Sequence, residues 1–563
     1  MALSKRDRDF RLPKISYLEF KQLEMDRVLT ALLARLRHNG LSSRIRRTVD
    51  VSTQDFAREF LEHPDLFEGF DQHPRLLEQW LETHLMDVVN RGKPNQAIAA
   101  PRPLHGYTYR FRNPKKCRDY GASQHIYETL FHARGNGQNA IDQLRRFFFP
   151  GHDLNTDKFD GSTPIDVETQ ALLALTDQVK SDAPDTSSQR ESFPPVCVGS
   201  ADLLADDVIR LLLYQHHIPR SVMVDYLKIL LSFHMGLYHL RLFKVLPQLV
   251  RQRCADPTCI TANCPMRPRQ VNDPHGSCPY RVYVLADVAN VSGTHIAGLA
   301  ERSAEIHFGR ITPFVKAYFT VKKLDEFAEN LVKRGKLSRP DKGFAIGDLL
   351  QLLEPVQKQE REAFFKMRLA GLLEDTSGDS KDDIAPEIQA VLDMGLPDFD
   401  TYIECIVGLR SGLHRRNIVT TLDSLLLKNQ PGAMLTQPRF RSAKRRFILD
   451  SRLLEVLLQI AVLRPGGDRG FYTDEMRIEE VLQFLRDRYG LYIDRLPPND
   501  GFSEASITDR ESLRQNLAAF KSRLREVGFY RDLSDAYVTQ TVKPRYSIAK
   551  VGVVDARTSG GIE

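Results

Sequence analysis

Four cysteines, Cys254, Cys259, Cys264 and Cys278, fall within 25 residues of a 563-residue chain that has seven in all. Their spacing is C-x4-C-x4-C-x13-C. Thiolates are preferred ligands of tetrahedral zinc, and close cysteines joined by a longer loop are how a short chain surrounds such an ion. Pro257, Pro265, Pro274, Gly276 and Pro279 supply turns that aim ligands inward, and His275 can stand in for one thiolate. A four-thiolate site is coordinatively closed, so the expected zinc is structural. The pairs Cys264-Pro265 and Cys278-Pro279 keep an iron–sulfur cluster as an alternative. Unrelated buried thiols are the third reading. Cys117, Cys197 and Cys405 are isolated and are expected in the core.

The second chemical signal is positive charge. The net charge is only +6, but residues 1–50 carry +6 and residues 404–450 another +6, so the remaining chain sums to −6. Clustered Lys and Arg are what phosphate backbones require, because each neutralised phosphate releases counterions. The densest run is RFRSAKRR, with Arg439, Arg441, Lys444, Arg445 and Arg446. Further on, one predicted helix carries Arg510, Arg514, Lys521 and Arg525, the last three on one face. These nine residues are the candidate nucleic-acid contacts. The competing reading is a solvated face or a surface for acidic partner subunits.

Catalytic signatures are missing. The chain has no G-x-x-x-x-G-K-[ST], no H-E-x-x-H, no G-x-S-x-G and no kinase set. Dispersed carboxylates are harder to dismiss. Asp287, Glu301 and Glu305, or Asp398, Asp400 and Glu404, are the sets from which a metal-dependent nuclease would be assembled. Apolar residues at 42% and charged residues at 27% are ordinary for a folded protein and exclude collagen-like or wholly disordered classes. No run approaches about 18 consecutive apolar residues, so no membrane partner is expected. The N-terminus lacks an apolar signal segment, and the sparse cysteines fit a cytoplasmic location.

Helical patterning dominates the elements that must hold these residues. Apolar spacing predicts a helix over 15–37 and two short helices over 55–90, broken at His63-Pro64 and His73-Pro74. Residues 104–112 alternate like a strand, with Tyr107, Tyr109 and Phe111 on one face and Arg110 and Arg112 on the other. Turn-rich 150–166 and polar 180–195 read as linkers around a helix at 167–179. Residues 201–250 are strongly helical; His216, His217, His234 and His239 lie there without metal-site spacing. A short strand over 280–285, helices to 370, a polar loop at 374–386 and a helix at 387–427 follow. The last third reads helix (453–460), helix capped by Thr473 or Asp474, strand (490–495), helix after a capping box at 508–511, then strands over 536–548. That order is winged-helix-like, and in such readers the last helix enters the major groove. The expected fold is mainly α with small β elements (α+β). It comprises a mostly helical domain (1–195), a central helical domain holding the cysteine cluster (196–435) and a winged-helix-like domain (436–555).

Three segments resemble accessory components of bacterial multi-gene anti-phage systems associated with DNA methylation or modification. They are the cysteine cluster running into RVYVLADVANVSG (281–293), RSAKRRFILDSRLLEVLLQIAVL (441–463) and FRLPKISYLEFKQLEMDRVLTALL (10–33). The resemblance implies an accessory role beside separate methyltransferase, ATPase and nuclease subunits, and it carries over no catalytic residue. The reading is a non-enzymatic subunit that binds DNA and the other subunits of a defence complex. The alternatives are a metal-dependent nuclease and a protein scaffold that never touches nucleic acid.

Overall fold

The computed structural model describes the chain except residues 1–2, 46–51, 64–68, 155, 157, 175–181, 188, 254–277, 279, 377–385, 438–443, 467–469, 531–540 and 550–563. The protein is mainly helical with small sheets. Among the described residues every sheet has two strands. Two compact units form. One comprises Met1–Ala205, His234–Arg281 and His307–Leu425, the other Asp206–Phe233, Val282–Ile306 and Leu426–Glu563.

In the first unit the helix Met25–Arg37 buries Val28, Leu29, Leu32, Leu33 and Leu36, the stripe its sequence spacing predicts. The helix starts ten residues later than expected. Residues upstream are held irregular by a bridge between Leu12 and Ser16 and by positive φ at Phe20. Pro74 opens the helix Pro74–Trp80, where its missing N–H costs nothing. A hairpin that sequence spacing missed pairs Met86–Val89 with Ala97–Pro101. Phe56, Phe60, Leu77, Leu81, Ile98 and Phe111 close a core around it.

The strand expected at 104–112 is instead a 3-10 turn, Gly106–Phe111. His105 Nδ1 accepts from the Tyr107 amide at 3.2 Å and starts the turn. Three residues per turn then set Arg110 over the Tyr107 ring, 4.2 Å away. Both faces are buried, so the aromatic–basic alternation never separated core from solvent.

The N-terminus of this unit is anchored by buried charge. Asp7 accepts from Lys323 Nζ at 2.8 Å, Tyr402 Oη at 2.6 Å and Ser4 Oγ at 2.9 Å. Burial pushes the Asp7 carboxyl up, but Lys323 and the hydroxyls outweigh it and hold it below the ordinary value. A depressed folded pKa gives stability that is present above the unfolded value and lost as pH falls through the folded one. Asp7→Asn is expected to cost about 1–3 kcal/mol at neutral pH. The deficit should vanish as acid protonates Asp7 in the parent, and the single tryptophan, Trp80, reports the transition by fluorescence.

The helix Arg220–Gln252 is long and apolar enough to cross a bilayer by length and composition, yet 94% of its most apolar window is buried inside the protein. It is a core helix. The 387–427 pattern resolves into two helices, Pro386–Leu392 and Asp398–Leu426.

In the second unit, Val284–Leu285 pairs in parallel with Leu491–Tyr492. Ser451–Ala461 is helical as its spacing predicts. The next helix begins at Ile478, later than a cap at Thr473 or Asp474 would put it. Phe471–Thr473 is taken up instead by a hairpin with Leu463–Pro465. The last helix, Ile507–Glu526, is capped by Ser506 with Asp509, two residues ahead of the expected box: the Asp509 amide donates to Ser506 Oγ at 3.1 Å and the Ser506 amide to Asp509 Oδ2 at 2.9 Å. Gly528, at φ +76°, ends it as predicted. Thr541–Val542 pairs with Met476–Arg477.

Candidate nucleic-acid interface

The helix Ile507–Glu526 turns Ser512, Leu513, Asn516, Phe520 and Leu524 inward. Asn516 fixes its position. Its amide donates to the carbonyls of Ala286 and Ile493, both at 2.9 Å, and its Oδ1 accepts from the Val288 amide at 2.9 Å. One buried side chain thus ties the helix to the ends of both strands of the parallel pair. Sequence reading missed it; the available signal was a polar residue at a position that the Leu513–Phe520 stripe assigns to the core.

An adjoining exposed side carries the charge. At about 100° per residue, Arg510, Arg514, Lys521 and Arg525 share roughly 60° of arc and span about 22 Å. Arg510, Arg514 and Arg525 are exposed and Lys521 is partly so. Arg514 makes only a loose pair with Glu511 at 3.8 Å, at 80% side-chain exposure. Arg525 stacks on Tyr530, 5.0 Å from the ring centre. At the N-terminal end, His295 Nε2 lies 2.7 Å from Asp509, and this contact and the Ser506 bonds lower the Asp509 pKa. The structure therefore brings four of the predicted contacts together as one stripe. Arg523, on the same helix, is used internally: it donates to Ser451 Oγ at 2.9 Å and to the Val288 carbonyl at 3.2 Å.

The upstream run is placed differently. Arg439 and Arg441 lie outside the described residues. Lys444 is exposed and pairs with Glu305 at 2.7 Å. Arg445 is half-buried. Arg446, expected to contact nucleic acid, points into the fold instead. Its side chain is 2% exposed and its Nε lies 3.2 Å from Asp287, itself 0% exposed. Its other nitrogens donate to Ser292 Oγ at 3.0 Å and Asn290 Oδ1 at 2.7 Å. The Phe447 carbonyl accepts from the Asp287 amide at 3.0 Å, so strand pairing holds the two residues face to face.

Three of the six candidate carboxylates are in ion pairs. Asp287 serves Arg446, and Glu305 serves Lys444. Glu404 pairs with Lys316. Among the described residues, no three His, Cys, Asp or Glu side chains converge as a metal site would require. Cys254, Cys259, Cys264 and His275 lie outside the described residues. Cys278 is buried, and the Arg281 amide donates to its carbonyl at 3.1 Å.

A family model described as methylation-associated defense system protein MAD7 matches residues 5–546. The chain belongs to this family. All three segments on which the resemblance rested lie inside the matched span, so the expectation of a methylation-associated defence component is borne out. No curated protein matches the chain. No solved structure matches it. Membership places the chain among the components of a defence system; the MAD7 description assigns no residue a role, so the stripe stands on its own geometry.

Proposed function

We propose that this MAD7-family chain is a non-enzymatic subunit that docks its defence complex onto DNA. The observation that carries the reading is the exposed stripe of Arg510, Arg514, Lys521 and Arg525 on a helix whose other side is locked by Asn516. Arg439, Arg441, Lys444 and Arg445 remain further candidate contacts in this reading. Arg446 does not, because it is committed to Asp287. The helix order of residues 451–526 with the pairing of 476–477 and 541–542 supports a winged-helix-like module. Such modules present their last helix to the major groove. The experiment is DNA affinity at two salt concentrations, with and without the stripe. Unchanged affinity after the stripe is neutralised would make it a surface for acidic partner subunits.

A structural zinc held by Cys254, Cys259, Cys264 and Cys278 belongs to the same proposal. When bound, the ion would supply folding energy to a loop rich in proline. Elemental analysis should find about one zinc per chain, lost in Cys259→Ser with a lowered unfolding midpoint. Iron in place of zinc would turn the site into a cluster. Neither metal would leave the thiols as ordinary buried residues.

A further inference from the structure

The first unit holds an open pocket of about 400 Å³ whose walls carry three arginines, Arg35, Arg112 and Arg118. Arg35 stands in the last turn of Met25–Arg37. Arg112 follows the 3-10 turn and is 9% exposed. Arg118 is exposed. Among the described residues, none of the three is in an ion pair. Arg35 donates to Ser123 Oγ at 2.9 Å and to the Gly40 carbonyl at 2.7 Å. Arg112 donates to the Ser43 carbonyl at 3.3 Å. A guanidinium has five N–H donors, so most of theirs are uncommitted.

Neighbouring arginines in the same unit are treated differently. Arg27 pairs with Asp87 at 2.7 Å, Arg134 with Asp202 at 2.6 Å and Arg190 with Glu128 at 2.7 Å. Burying a cation without an anion is costly, and the usual remedy is a carboxylate. Here no such ion pair is formed and a cavity is present. Two acids also line the pocket, and neither is within ion-pair distance of the three arginines. Glu19 is exposed. Asp119 accepts from the Ser123 amide at 3.1 Å and from the Ser123 hydroxyl, which commits one of its oxygens to the start of the helix Ala122–Phe131. Burial is the main cause that lowers the Arg35 pKa; the charges of Asp119 and Glu128 oppose it, and those of Arg112 and Arg190 add to it more weakly. A bound anion would offset that burial. The turn at the rim is fixed by Gly121: at φ +80°, an added Cβ would stand 2.1 Å from the Tyr17 carbonyl oxygen.

We propose that this pocket binds a phosphate monoester carried on a nucleoside. The three guanidiniums and the hydroxyl of Ser42 suit a tetrahedral dianion, since arginine forks engage phosphate through paired N–H bonds. The volume exceeds what inorganic phosphate needs, and the wall continues onto Tyr120, Ala31 and Pro114, where a base can stack. The site is independent of the C-terminal stripe and of the DNA reading.

The test is calorimetry on the full chain with inorganic phosphate, deoxyadenosine, its 5′-monophosphate, and a hexanucleotide with and without a 5′-phosphate. The monophosphate should bind at least tenfold more tightly than deoxyadenosine, and Arg112→Gln should lose at least tenfold without lowering the ligand-free unfolding midpoint. If Arg112→Gln fails to fold, Arg118→Gln on the surface should still lose severalfold. Binding of the phosphorylated hexanucleotide in preference to the monophosphate supports the site and assigns the phosphate to a nucleic-acid end. The unphosphorylated hexanucleotide subtracts any contribution of the stripe. Equal affinity for monophosphate and nucleoside, or no loss in either arginine variant, overturns the proposal.

Discussion

Raising salt from about 50 to 200 mM should weaken duplex DNA binding by this chain about 10²–10³-fold. The estimate follows from counterion release with four to six neutralised phosphates, four of them met by Arg510, Arg514, Lys521 and Arg525. Replacing those four by glutamine should flatten the salt slope by roughly four and remove most of the affinity at low salt. The fold should tolerate this, because substitutions at exposed positions usually change stability by less than about 0.5 kcal/mol each. Arg514 makes a loose ion pair with Glu511, and Arg525 a contact with the Tyr530 ring. The comparison variant is Asn516→Leu, which keeps every stripe charge and withdraws the clamp at Ala286, Val288 and Ile493. Stripe variants that keep the parent's slope would show that the positive face is read by protein. Metal-dependent cleavage of plasmid DNA would favour a nuclease instead.

Helices with a clean apolar stripe were legible in the sequence because one face alone decides them. Ser451–Ala461 and the stop at Gly528 are cases of this. Residues 104–112 were misread because the pattern carried hydrophobicity on one face and charge on the other, and burial covered both. Period-2 alternation identifies a strand only when one face meets water. The start of Ile478–Tyr489 was misplaced because Thr473 is a good cap in isolation, while hairpin pairing had a stronger claim on it. The second unit draws on three separated segments, and no local pattern announces that 206–233 and 282–306 belong with 426–563. Strand pairing of Val284–Leu285 with Leu491–Tyr492 ties in the second segment, and buried polar contacts help tie in the first. Arg488 donates to Asp207 at 2.9 Å and to Asp206 at 2.5 Å, and Tyr489 donates to Asp207 at 2.8 Å. Of the candidate site, the stripe on 510–525 was readable from spacing. The inward turn of Arg446 was not, since charge density says nothing about which arginine a buried aspartate will capture.

That capture gives the second large effect. Arg446→Met should destabilise the second unit by about 3–5 kcal/mol, because it strands the Asp287 charge in a fully buried position. Asp287 already sits at a disadvantage. Burial raises its pKa, more than the Asn290 amide and Arg446 lower it. An acid with a raised folded pKa opposes folding above that pKa and ceases to do so as protonation neutralises it. The deficit of Arg446→Met should therefore shrink as pH falls through the raised value; the Asp7→Asn deficit also closes in acid, but below the ordinary carboxylate pKa and through loss of stability in the parent. The paired change Asp287→Leu with Arg446→Met removes both charges, and buried pairs replaced this way are often neutral or stabilised by about 1–4 kcal/mol. Hydrogen exchange at the amides of Val284, Ala286 and Asp287 reads the effect locally, with no need for the two units to unfold together. Recovery in the double variant would mean that the pair is kept for placement, holding the 284–288 segment in register with 446–448. A double variant as unstable as the single one would mean that the bonds of Arg446 to Ser292 and Asn290, which both variants lose, carry the stability, and the charge on Asp287 would then matter little.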